Sequence, residues 1–151
     1  MGLDQFVYAI KETPDTKVDY RIKTLGDPDL IERAKEVFYW RKHPEIHGWM
    51  ETLYNSKGGT SDFNCTTVQL ELEDINNLYS DIMNRKLPRT EGFFFGDPVY
   101  LTKEELDKMS KGDRKDAIEE MTNQLKEDLI FIEKAKEFIA NGYYLFYDSW
   151  W

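Results

Sequence analysis

The sequence predicts a single α+β domain over residues 1–151, with a small mixed or antiparallel sheet and several helices packed on it. One of those helices is long and is expected near 113–140. Three observations predict this. β-Branched and aromatic runs stand near both ends of the chain. Segments with helical apolar spacing stand between them, and they are unequal in length, which suits helices laid on a small sheet. The 151 residues show no repeat or low-complexity segment and are enough to bury a core.

Leu3 to Ile10 reads as the first strand. Lys11 to Asp29, with Pro14, Gly26 and Pro28, reads as a long excursion, with a short strand expected around Val18 to Ile22. Val37 to Trp40 is the next apolar stretch. Pro44 suits the first position of a helix, and Ile46, Trp49, Met50 and Leu53 form its stripe. Asn55 to Asn64, with Gly58-Gly59, is expected to close that helix as a loop. Thr66 to Leu70 predicts a strand running into a helix over about 71–84, with Leu72, Ile75, Leu78, Tyr79, Ile82 and Met83 inward.

Leu87 to Leu101 looks irregular. Thr102 and Glu105 form a capping-box pair for a short helix near 103–110. Asp113 is the expected cap of the long helix, whose stripe is Ala117, Ile118, Met121, Leu125, Leu129, Ile132 and Ala135. Asn141-Gly142 is a stop signal, and Tyr143 to Tyr147 reads as the last strand.

The formal charge is −9, which disfavours nucleic acid and anionic membrane as partners, because both need a positive field. An acidic surface suits basic protein partners, and its plainest role is solubility. Cys65 is the only cysteine, so an intrachain disulfide and a multi-cysteine zinc site are excluded. The first residues carry no basic, apolar leader pattern, Phe6 stands where a myristoylation signal needs Ser or Thr, and no segment has the apolar length of a membrane span. A cytoplasmic location is expected.

The densest polar-aromatic cluster runs from Tyr39 to Trp49, across a strand end and a helix start. Free N–H groups and the dipole at a helix start favour an anion, and Arg41 and Lys42 add positive charge there. The plainer reading is that Arg41 pairs with a carboxylate and Lys42 is solvated. His43, His47 and Glu51 stand at successive intervals of four, a spacing able to ligate a metal. It equally describes a solvent-facing stripe, so no metal or cofactor is expected. His47 suits acid–base work, and Cys65 would be its nucleophile in an enzyme. A lone cysteine is more often a small buried hydrophobe, and that reading is preferred. The run Gly92-Phe93-Phe94-Phe95-Gly96 fits no phosphate-loop pattern and reads as a buried plug. The terminal Trp150-Trp151 is expected to dock on the domain.

Several motifs resemble a family of small acidic proteins of bacteriophages and prophages. They are Gly2-Leu3-Asp4-x-x-Val7-Tyr8, Tyr39-Trp40-Arg41-Lys42, Ile46-His47-x-Trp49, Asn64-Cys65, Gly92-Phe93-Phe94-Phe95-Gly96 and Ser149-Trp150. They span nearly the whole chain. The resemblance implies a phage protein in the host cytoplasm and brings no established reaction. Members are sometimes labelled phosphoglycerate kinase. That activity needs two domains and a nucleotide site, which 151 residues without a phosphate loop do not supply. The expected role is a noncatalytic accessory protein that binds a host component during infection, with a host protein or a small anionic ligand as the partner. The alternatives are a small hydrolase or transferase, or a sponge for a signalling nucleotide, with a small anionic ligand held by Arg41 and Lys42. Trp40, Arg41, Lys42, His47, Trp49, Asn64 and Cys65 are the candidate binding residues, and Trp40, Arg41, Lys42, His47 and Cys65 are expected to converge with Phe94 where strand ends meet the first helix.

Overall fold

The computed structural model describes residues 2–21, 34–92 and 95–151. Strands β1 (Asp4–Ile10), β2 (Lys35–Arg41), β3 (Thr67–Leu70) and β4 (Tyr144–Trp150) form an antiparallel sheet in the order β2-β1-β4-β3. The helices are α1 (Pro44–Ser56), α2 (Leu72–Met83), α3 (Lys103–Asp107) and α4 (Lys111–Ala140). This is the expected α+β class, with every strand pair antiparallel.

Alternation along the strands divides the sheet into two apolar faces. Val7, Ala9, Trp40, Val68, Leu70, Leu145 and Tyr147 point to the side covered by α1, α2 and α4, and meet Ile46, Met50, Ile75, Leu78, Phe131 and Ile132 in the main core. Tyr8, Ile10 and Phe146 form a smaller cluster on the other side, where Tyr20 stacks on Phe146. A bulge opposite Val7 and Tyr8 interrupts the β2 alternation, so Val37 and Phe38 both reach the main core.

Local signals set most element ends. Pro44 opens α1, and the Thr102–Glu105 capping box opens α3, which ends at Asp107 rather than near Ser110. α4 starts earlier than expected, because the Ser110 side chain accepts from the Asp113 N–H and caps the helix at Lys111. The helix has 30 residues, about 45 Å at the α-helical rise. Its N-terminal half packs sparsely, leaving Ile118 half exposed, while Asp128 and Phe131 join the buried face. On α2 the inward face is narrower than predicted. Leu72, Tyr79 and Met83 are exposed, and Asp74 is buried instead. Lys57 closes over that carboxylate at 2.5 Å, so its burial is offset by an ion pair.

The short strand expected at Val18–Ile22 is a single bridge, Val18 to Val68, over its described residues; Ile22 lies outside them. Where the 88–92 segment crosses α1, Gly48 permits the approach, since a Cβ there would run into Thr90. No helix among the described residues is long and apolar enough to cross a membrane.

Candidate functional site

The sequence motifs gather at one end of the sheet, but their side chains divide between its two faces. Arg41 pairs with Asp4, and Asp4 with Trp150, so three strands end together there. Trp40 turns into the main core. Arg41 turns the other way, with its guanidinium 4.0 Å from the Asp4 carboxylate. Lys42 leaves the strand in the left-handed region at φ 55°, held by its N–H to the Leu3 carbonyl at 2.8 Å. Its side chain lies beside Gly2 and Gly96.

The helix start itself is closed. Pro44, Glu45, Ile46 and His47 are buried, and the His43 imidazole accepts from the Ile46 N–H at 3.5 Å. Glu45 adds negative charge in the first turn, and its carboxylate accepts from the Val99 and Tyr100 N–H groups. Arg41 and Lys42 therefore do not complete an anion cradle with the first turn of α1.

Asp128 makes the densest polar centre of the protein, and it was missing from the sequence reading. Fully buried on α4, it accepts from Trp40 Nε1 (3.1 Å) and Gln124 Nε2 (2.9 Å) on one oxygen. The other oxygen takes the Tyr100 hydroxyl (2.6 Å) and His43 Nε2 (2.9 Å). Because His43 Nδ1 is the acceptor at the helix cap, Nε2 carries the hydrogen that Asp128 receives. Four donors thus fill the carboxylate. The Gln5 amide fixes His43 further, donating to its carbonyl at 3.0 Å and accepting its N–H at 2.8 Å. Burial, with the Asp128 charge second, raises the Tyr100 pKa. A sequence signal did exist: Met121, Leu125, Asp128, Ile132 and Ala135 keep core spacing, so Asp128 is an acid in an apolar seam.

His47 occupies a different setting one turn along α1. Its Nδ1 meets the Tyr147 hydroxyl at 2.9 Å, and its Nε2 is buried without a partner among the described residues. Phe63, Phe95 and Trp151 surround the ring at centroid distances of 5.0, 4.8 and 6.5 Å. Burial lowers its pKa to about 4. Asn64 clasps the Trp151 backbone through both ends of its amide, at 2.9 and 3.0 Å, and the Trp151 indole donates to the Phe63 carbonyl. Trp151 is anchored by these bonds but stays 40% exposed, and Trp150 is 58% exposed.

Cys65 corrects an expectation: it is exposed rather than buried. It turns the chain into β3 at φ 59°, its N–H is taken by the Ser149 carbonyl, and its thiol lies 3.6 Å from Asn64 Oδ1. Lys42, His47, Asn64 and Cys65 thus share one end of the domain, linked through Phe95-Gly96 and Trp151, while Trp40 and Arg41 point to opposite faces. Trp49 stands apart as well, because two residues along α1 turn it to another side, where its indole donates to Asp81 at 2.9 Å. Phe93 and Phe94 lie outside the described residues. Phe95 is buried against His47 and Trp151, as a plug would be. His43 and His47 reach different partners and Glu51 is exposed; no group of three or more potential metal ligands forms among the described residues.

A separate cavity lies elsewhere among the described residues. A cleft of about 800 Å³ lies between the end of α2, the 85–89 turn, α3 and the first half of α4. Neither Arg41 nor His47 lines it. Searches against family models, curated proteins and solved structures find no match to this chain.

Proposed function

We propose that the protein is a noncatalytic accessory protein that binds a host protein during phage infection. The phage setting rests on the motif resemblance. The noncatalytic reading rests on one observation: the groups suited to acid–base and nucleophilic work are held in other bonds, with the imidazole buried and the thiol exposed. His47 is buried beside Tyr147, Cys65 is exposed beside Asn64, and Arg41 turns to the other sheet face beside Asp4.

The contact surface in this reading is the sheet face opposite the helices. Tyr39 and Arg41 stand on it on β2 and Trp150 on β4, with β1 between them, and both aromatic side chains are well exposed. Tyr, Trp and Arg are the residue types that most often carry interface energy.

Affinity capture from infected cells tests the proposal. The wild type is expected to retain a host protein that Trp150→Ala and Arg41→Ala lose while keeping the wild-type melting temperature. Retention of metabolites with no host protein would overturn it.

A further inference from the structure

We propose that the cleft beside α4 is a second binding site, for a single-chain amphiphilic anion with an apolar body and a carboxylate or phosphate head. This goes beyond the host-protein reading and uses none of its residues.

The cleft has the volume of a small-molecule site, about 800 Å³. Its bed is aliphatic, with Leu87, Leu101, Leu106, Ile118, Met121 and Leu125 from four parts of the chain. Ile118 stands 46% exposed there, an apolar side chain on a helix whose outward residues are otherwise largely polar or charged. Covering such a bed removes apolar surface from water, at about 25 cal/mol per Å².

Charge selects the sign of the head group. Within a chain of net charge −9, the cleft wall holds Arg85, Arg89, Lys103 and Arg114 against the carboxylates Glu45 and Asp107. Arg89 is paired with Glu105, and Arg114 donates to the Leu106 and Asp107 carbonyls. Arg85 differs. Its guanidinium lies 5.9 Å above the Tyr100 ring and has no carboxylate partner among the described residues. Arg85 follows the Asn84 cap of α2 in the left-handed region, at φ 56°, and lines the cleft. A guanidinium stacked on an aromatic face keeps its donors free for a planar or tetrahedral anion. An aliphatic bed with a free guanidinium at its edge matches an alkyl chain ending in an anion. It does not match a purely polar metabolite or a cation.

Calorimetric titration with sodium dodecanoate below its micelle concentration tests this, with dodecyltrimethylammonium as the cationic control. Saturable one-to-one binding of dodecanoate is expected, with the control at least about tenfold weaker. Arg85→Ala should weaken dodecanoate about tenfold. Ile118→Gln, at an exposed position, should weaken it through the bed while leaving the circular dichroism spectrum and melting temperature intact. Equal binding of both amphiphiles, or unchanged affinity in folded Arg85→Ala and Ile118→Gln, overturns the proposal. So does sedimentation with phosphatidylglycerol vesicles in the absence of dodecanoate binding, which would make the cleft a membrane contact. Host-protein capture by the Trp150 face is measured separately, so either proposal can fail without the other.

Discussion

His43 and His47 are one helical turn apart, both buried, and their polar surroundings are opposite in character. His43 sits in a closed account: every lone pair of Asp128 is met, and the imidazole both donates to that carboxylate and caps α1. His47 is half met, with one nitrogen on a phenol and the other facing aromatic rings. The difference teaches that spacing along a helix assigns neighbours, while the elements packed around it assign protonation. The first centre ties β2, α1, the 97–101 segment and α4 together. The second borders Phe95 and the clasped Trp151, so its burial depends on the 63–64 and 95–96 loops and on the residue after β4.

Breaking the Asp128 centre should have the largest effect. Asp128→Ala strands four donors, two of them on the buried Trp40 and His43, and is expected to cost roughly 3–5 kcal/mol in chemical denaturation. A loss below about 1 kcal/mol would mean that the centre is hydrated rather than closed.

The His47 centre should appear next, as acid lability. Its folded pKa, about 4, lies below the ordinary 6.5. Protonation therefore favours the unfolded chain. The stability linked to this histidine is complete above pH 6.5 and is lost as pH falls from there to about 4, roughly 3 kcal/mol in all. Denaturation midpoints measured from pH 7.5 to 4 should show this fall, and His47→Phe should flatten it.

Asn64→Ala sharpens the comparison further. Losing the clasp on Trp151 should cost about 1–2 kcal/mol and move the His47 titration, followed by NMR, upward toward 6.5 as water reaches the ring. Smallest of all, Arg41→Ala removes only an exposed pair with Asp4 at 4.0 Å, and its thermal stability should change by less than about 0.5 kcal/mol. A large change would place Arg41 in the framework rather than on a contact surface.

Much of the frame was legible because it is local. Pro44, the Thr102–Glu105 pair and Asn141-Gly142 act within a few residues of themselves, and the elements they bound appear close to where the sequence places them. Periodicity was less reliable at the helix edges. Leu72, Tyr79, Met83 and Ile118 have the spacing of buried residues, yet they face no packed neighbour layer. The candidate site was legible as a set of motifs and not as a geometry. Alternation sends Trp40 inward and Arg41 outward, and only the strand order brings Asn64 and Cys65 beside the chain end.

From the sequence alone came the α+β class, most element boundaries and the aromatic and cationic motif residues, since caps, turns and periodic stripes are short-range properties. The order β2-β1-β4-β3, the burial of Asp128 among four donors, the exposure of Cys65 and the Arg85 cleft came only from the tertiary structure. Each depends on contacts between residues tens of positions apart. Such contacts form where burying shared apolar surface outweighs the entropy of ordering the chain, a balance that no local pattern records.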